Sequence, residues 1–273
     1  ETLPKVEIFS MSKNSVVIVS GASRGVGAAT ARWLAKAGTA VTLIARSVKA
    51  LDSVANDVEQ LGGAALVHKG DVSDAGACRA AVAKTLDRFG RLDAVVNNAG
   101  MVEPLASVSD CDVERWQYNI AVNLLGPFYL IRAAIADLRP QNGRIINVSS
   151  GAATISVENA SAYCAAKAAL NHFSRVLAAE EPRLTVMAVR PGVVDTRMQD
   201  TLRQKGQGIM SPEQLAYYQH LKAGGQLEKP EVPGRSLAWL ALHAPREFSG
   251  QFLDYDDPRI NRPALAVLGA QLK

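Results

Sequence analysis

Six short apolar runs, each followed by a longer stretch with helical spacing, restrict this chain to very few architectures. The runs are Val16–Val19, Ala40–Ile44, Ala64–Val67, Ala94–Val96, Arg144–Val148 and Thr185–Val189. They are rich in β-branched residues and apolar at successive positions, so both faces of each strand must be covered. Between them, segments near 26–37, 48–61, 75–89, 112–138 and 161–180 carry helical patterns, and Gly38, Gly62 and Gly90 fall just past three of these. A helix C-terminus favours a residue that tolerates positive φ, as glycine does. Regular β-α alternation with right-handed crossovers predicts an α/β fold: a doubly wound parallel sheet between two helical layers.

Bulk properties narrow the classes further. The chain has 273 residues, 48% hydrophobic and 21% charged, without repeats or a Pro/Gly/Ser-rich linker, so we expect residues 1–273 to form a single domain. No uninterrupted run of about 18 apolar residues occurs, so no membrane span is expected. The formal charge of +4 is dispersed, which gives no footprint for nucleic acid. Cys78, Cys111 and Cys164 lack CxxC or Cys/His ligand spacing and read as reduced thiols of a cytoplasmic protein without a metal site. Glu1–Ser10 shows no apolar leader pattern and reads as an extension ahead of Met11. The stretch 196–233 is long, polar and punctuated by glycine, yet holds Met210, Leu215, Tyr217 and Tyr218. A loop of that length inside one domain is either a substrate lid or a disordered insertion, and we expect the lid. A last short strand, Gln251–Leu253, would close one edge of the sheet.

Gly21-Ala-Ser-Arg-Gly25-Val-Gly27 directly follows the first strand and opens the first helix. Glycines there let the backbone turn sharply and approach a pyrophosphate, while the helix N-terminus offers free N–H groups. The spacing G-x-x-x-G-x-G is not the common G-x-G-x-x-G, and a glycine cluster alone also fits a plain tight turn. Its place in a βαβ unit favours a Rossmann dinucleotide site, with Gly21, Ser23, Arg24, Gly25, Val26 and Gly27 as candidate contacts. An NAD site would carry an acidic residue at the end of the second strand, about 20 residues on, to hold the ribose 2′-hydroxyl. Here that strand ends Leu43-Ile-Ala-Arg46-Ser47. Arg46 and Arg24 suit a 2′-phosphate instead, so the expected cofactor is NADP(H); two exposed surface arginines are the plainer alternative.

Tyr163-Cys-Ala-Ala-Lys167 lies in a helical segment, so Tyr163 and Lys167 share one face. A free phenol, with a pKa of about 10, holds its proton too tightly to act as a base at neutral pH, and a neighbouring ammonium would lower that value. A phenol so tuned gives a proton to a carbonyl oxygen or takes one from an alcohol. The set Gly21-x-x-x-Gly25-x-Gly27, Asn97-Asn98-Ala99-Gly100, Asn123, Ser150, Tyr163-x-x-x-Lys167 and Arg190-Pro-Gly192 resembles, in this order, the short-chain dehydrogenases/reductases, over about residues 14–255. The resemblance implies a role for each. Ser150, 13 residues before Tyr163, would bond the substrate oxygen, and Tyr163 would be the general acid/base. Lys167 would lower the Tyr163 pKa and hold the nicotinamide ribose, while Asn123 would keep a water in a proton relay. Asp71 and Val72 would touch the adenine, Asn98 would sit in the adenosine-side turn, and Val194 and Thr196 would touch the carboxamide and phosphates. Taken singly, Ser150 also fits a strand-end turn and Asn123 a core amide.

Ala160–Phe173, Val189–Met198, Met210–Gln214 and Gly250–Pro258 resemble the benzil reductases, relatives of sepiapterin reductase. That resemblance implies an NADPH-dependent reductase whose partner is a small-molecule ketone or α-diketone, giving a chiral alcohol. Alternatives are another secondary-alcohol dehydrogenase or 3-oxoacyl reductase of the family and, outside enzymes, a silent NADP(H) sensor on the same fold. The resemblance also implies a homodimer or homotetramer formed through the helices that carry Asn123 and Tyr163.

Overall fold

The structure is a computed structural model and describes residues 15–272; the extension expected at residues 1–10 lies outside them. Its elements run β1 (Val16–Ser20), α1 (Gly25–Lys36), β2 (Ala40–Ala45), α2 (Val48–Gln60), β3 (Ala64–Lys69), α3 (Ala75–Phe89) and β4 (Ala94–Asn97). Then come α4 (Val113–Ile120), α5 (Gly126–Leu138), β5 (Arg144–Val148), α6 (Ser161–Glu180), β6 (Thr185–Arg190) and α7 (Arg197–Lys205). The chain finishes with α8 (Pro212–Ala223), α9 (Glu231–His243), β7 (Phe252–Asp254) and α10 (Pro258–Leu268). The strands pair in the order β3-β2-β1-β4-β5-β6-β7, and every pairing is parallel. This is the doubly wound sheet that the alternation predicts, with the expected last strand at one edge. Strand order reverses between β1 and β4, which opens a crevice at the carboxyl ends of the strands.

Alternate residues of each strand enter opposite layers. In β1, Val17 and Val19 pack with Trp33, Leu34, Leu237, Leu240 and Ile260 of α1, α9 and α10. Val16 and Ile18 pack instead with Val82, Leu130, Ile131 and Leu138 of α3 and α5. Two covered faces leave no solvent side for polar residues, which is why the strands read as continuous apolar runs. Each fully buried Leu or Ile contributes about 1.5–3 kcal/mol by leaving water. The helices end as the sequence indicates: Gly38, Gly62 and Gly90 all have positive φ, and Gly90 at +73° ends α3.

The structure departs from expectation in three places. The helix expected at 112–138 is interrupted by a π-turn at Ala121–Leu125, where the buried Asn123 amide donates to the Asn119 carbonyl at 3.1 Å. Taken as one run, Val113–Gln141 is long and apolar enough to cross a membrane by length and composition alone; here it packs on α3 and β4. Second, the stretch 196–233 is not an irregular loop. It folds into α7 and α8, and Ser211 accepts from the Gln214 N–H at 3.4 Å while Pro212 sits in the first turn, a standard helix start. Third, the boundary at 233 falls inside α9, whose residues Pro233 to His243 are all buried. A Cβ on Gly234 would lie 2.8 Å from Ala29 Cβ, so α9 belongs to the core layer against α1.

Candidate active site

The crevice is a cleft of about 1610 Å³ at the carboxyl ends of the strands. At its β1 end, Gly21 and Gly25 have φ of +65° and +56°. A Cβ on Gly21 would lie 2.8 Å from Ala99 Cα, and one on Gly25 would lie 3.2 Å from Thr196 Cγ2. No side chain caps α1 after its extended N-cap residue Arg24, which leaves the first N–H groups to a ligand beside Gly25 and Val26. Gly21, Ser23, Arg24, Gly25 and Val26 all line the cleft, but Gly27 does not. Gly27 is required for packing rather than contact: its Cβ would strike Asn98 Nδ2 and come within 2.5 Å of the Gly21 carbonyl. Asn98 ties the turns after β1 and β4 together, donating from Nδ2 to the Ser20 and Gly21 carbonyls at 3.1 and 3.3 Å.

Farther along, Arg46, Asp71 and Val72 line the cleft as expected, joined by Tyr118. Tyr118 donates to Asp71 Oδ2 at 2.7 Å and accepts from Arg46 Nη1 at 3.0 Å. Burial pushes the Asp71 carboxyl up, but hydrogen bonds from Ser73 and Tyr118, with Arg46 at 3.8 Å, outweigh it and hold the group below its ordinary value. Arg24 is depressed first by burial and then by two like charges, Arg197 and Arg46. Arg197, at the start of α7, escaped the sequence reading because no local pattern marks it. Three guanidiniums around one space call for an anion. With the glycine cradle and the uncapped helix, these residues fit a dinucleotide's phosphates.

At the opposite end stand Ser150, Tyr163 and Lys167. Tyr163 and Lys167 occupy one face of α6, 8% and 4% exposed. The Lys167 Nζ donates to the Val148 carbonyl at 2.8 Å and lies 5.7 Å from the Tyr163 ring centroid. Burial lowers Lys167 from 10.5 to about 8. The expectation that Lys167 pulls Tyr163 down is not what the geometry gives. Burial dominates and raises Tyr163, and the opposing hydrogen bond comes from Ser150. The difference arises because the ammonium points along the helix to the β5 carbonyl. Asn123 is fully buried and does not line the cleft. Its Nδ2 bonds the Met101 carbonyl at 2.8 Å and Asn119 Oδ1 at 2.9 Å, and its Oδ1 accepts from the Met101 N–H at 3.3 Å. A Cβ on Gly100 would meet both Asn123 Oδ1 at 2.9 Å and Lys167 Nζ at 3.7 Å, so the two groups flank one glycine.

Residues 15–207 match the family described as short chain dehydrogenase. The chain belongs to the short-chain dehydrogenase family. An uncharacterised oxidoreductase of Schizosaccharomyces pombe is 34% identical over 242 residues, 88% of this chain and 96% of that protein. A benzil reductase of Saccharomyces cerevisiae that forms (S)-benzoin is 33% identical over 258 residues, 90% of this chain and 97% of that protein. The crystal structure of a short-chain dehydrogenase/reductase from Saccharomyces cerevisiae superposes with a TM-score of 0.86 at 35% identity, covering 91% of this chain and 98% of that one. The protein is therefore an oxidoreductase of the short-chain dehydrogenase family, whose members use NAD(P)(H).

Beside Ser150 and Lys167 lies an apolar cluster: Val102, Leu105, Ala152 and Ala160 with Tyr163, Leu202, Met210 and Tyr218. Ion pairs tie α7 and α8 over it. Lys205 meets Glu103 at 2.5 Å and Lys222 meets Asp195 at 2.7 Å, while Asn159 Nδ2 donates to the Ile209 carbonyl at 2.9 Å. Val194 and Thr196 both line the cleft where β6 leads into α7. Nearby, Arg190 pairs through two nitrogens with Asp254, each at 2.5 Å, and Tyr255 donates to Glu228 at 2.9 Å. Sequence reasoning missed this second network, since strand β7 brings Asp254 and Tyr255 to Arg190 only in the folded sheet.

Proposed function

We propose that this protein is an NADPH-dependent carbonyl reductase that reduces ketones or α-diketones of the benzil type to chiral alcohols. One observation carries the reading: a buried phenol with a serine partner sits between the phosphate cradle and an apolar pocket. Benzil reductase activity belongs to the yeast relative; the apolar residues around Tyr163 extend it to this chain as a proposal. Arg24, Arg46 and Arg197 would hold a 2′-phosphate and favour NADPH.

When bound, the nicotinamide supplies a hydride. Tyr163 gives its proton to the carbonyl oxygen, and Ser150 steadies that oxygen by donating a second hydrogen bond. The raised Tyr163 pKa keeps the phenol protonated, as a general acid must be. Lys167 would hold the ribose hydroxyls of a bound cofactor and, at a pKa of about 8, exchange protons near physiological pH. Asn123 fixes the Met101 loop beside Lys167 and orders the path by which the proton is replaced. Tyr163→Phe should lower kcat with benzil and NADPH by about 10²–10⁴, while NADPH fluorescence titration still shows binding. Wild-type turnover by this variant, or equal turnover with NADH at low cofactor, sinks the respective half of the proposal.

We propose further that the chain forms a homodimer or homotetramer. Half-exposed Leu125 in the π-turn, Phe128 on α5 and Val176 on α6, with Phe128 edge-on to Phe173, supply the apolar face. A monomer by light scattering overturns this. Free Cys78, Cys111 and Cys164 suit a reducing compartment such as the cytoplasm.

A further inference from the structure

Tyr218 sits on α8, packed in the same apolar cluster as Tyr163 and only 9% exposed, yet it lines the cleft. Tyr217 holds its ring edge-on, with centroids 5.3 Å apart and planes at 66°. Among the described residues no hydrogen bond is made by the Tyr218 hydroxyl, and the oxygen is not one of the buried atoms left without a partner, so it is open to the cleft. A hydroxyl open to the cleft keeps water as its partner until a ligand with a hydrogen-bond acceptor displaces that water. The remaining cluster members, Val102, Leu105, Ala152, Ala160, Leu202 and Met210, offer it no side-chain acceptor apart from the weak Met210 sulfur. An acceptor other than water therefore comes from a molecule that enters the cleft.

We propose that the Tyr218 hydroxyl is a second hydrogen-bond donor to the substrate, directed at an oxygen on the carbon next to the reacting carbonyl. The pocket then prefers vicinal dicarbonyls to plain ketones of the same shape. Tyr163 takes the reacting oxygen, and Tyr218 packs in the same apolar cluster beside it. A vicinal dicarbonyl presents two oxygens on adjacent carbons, which matches two hydroxyls projecting into one apolar pocket. Burial pushes Tyr218 up to about 12, so it serves as a donor and does not compete as an acid. Because it rides on α8, this donor is in place only while α8 lies over the cleft.

The inference rests on the reductase reading, and the experiment separates the two. Wild type and Tyr218→Phe are assayed with saturating NADPH on benzil and on deoxybenzoin, the same skeleton lacking one carbonyl oxygen. Thermal melting and NADPH titration check that the variant is folded, as expected when a single oxygen is removed and the ring stays packed. The expected result is a fall of about tenfold in kcat/KM for benzil, with deoxybenzoin unchanged within about twofold, so that the wild-type preference collapses. Equal losses on both substrates would reveal a packing role and overturn the inference, as would no loss on either. If wild type reduces neither ketone, the reductase reading fails and this inference falls with it.

Discussion

Replacing Lys167 by methionine separates what the buried ammonium costs the fold from what it does in the chemistry. Burial places the folded-state pKa near 8 against 10.5 for the exposed group. At about 1.36 kcal/mol per pKa unit, that separation amounts to about 3.4 kcal/mol of destabilisation. Below pH 8 both folded and unfolded chains carry the proton, and the whole cost is present. Between about 8 and 10.5 the folded chain releases the proton while the unfolded chain keeps it, so wild-type stability rises with pH. Above 10.5 the cost is gone. Methionine keeps the aliphatic stem and does not titrate, but loses the 2.8 Å bond to the Val148 carbonyl, worth about 1.5–3 kcal/mol for a charged donor. Lys167→Met should therefore be more stable relative to wild type at pH 7 than at pH 10, by about 2.5 kcal/mol. Urea unfolding of both cofactor-free proteins at the two pH values measures this, and subtraction cancels every other titrating group. A stability difference that stays constant between pH 7 and 10, within about 0.5 kcal/mol, would refute the burial argument.

Three further perturbations address other parts of the cleft. Gly27→Ala forces a methyl against Asn98 and within 2.5 Å of the Gly21 carbonyl, so it should destabilise by about 1–3 kcal/mol and weaken dinucleotide binding, read by melting and by fluorescence titration. Arg46→Ala should weaken NADPH about tenfold or more and leave NADH nearly unaffected, since its exposed guanidinium would meet only the extra phosphate; equal losses for both cofactors would place Arg46 elsewhere. Lys222→Ala cuts the tether between α8 and Asp195 but removes only a half-exposed ion pair, worth under about 1 kcal/mol. Hydrogen exchange should accelerate across residues 212–223 while the sheet stays protected, and unchanged exchange there would show that the tether is idle.

The sheet was legible because short β-branched apolar runs alternate along the chain with longer stretches of helical spacing, and the length of each run separates strand from helix. Arg24, Arg46, Ser150, Tyr163 and Lys167 were legible because strand ends and one helix face bring them together locally. Helix α9 was not: Pro233-Gly234 reads as loop punctuation. Yet Pro233 stands in the first turn, where the missing N–H costs nothing, and Gly234 gives Ala29 room to approach. Helix α10 hides in the same way behind Pro258 and Pro263, although Asp257 caps it by accepting from the Arg259 N–H at 2.9 Å. Arg197, Tyr118 and Tyr218 join the site through contacts between distant segments. The upward shift of Tyr163 comes from burial, a quantity that a motif does not carry.

The π-turn at Ala121–Leu125 holds one residue more than a continuous α-helix would need between α4 and α5. Removing one residue there would rotate α4 by about 100° relative to α5. Either Asn119 and Asn123 would swing away from Met101, or Leu130, Ile131 and Ala134 would swing off the sheet. The phase of the Asn119–Asn123 contacts with Met101 and the phase of the core are thus a single variable, set by one residue count. A chain of this kind can lengthen or shorten its surface turns freely, but between α4 and α5 it cannot change length without giving up either its chemistry or its packing.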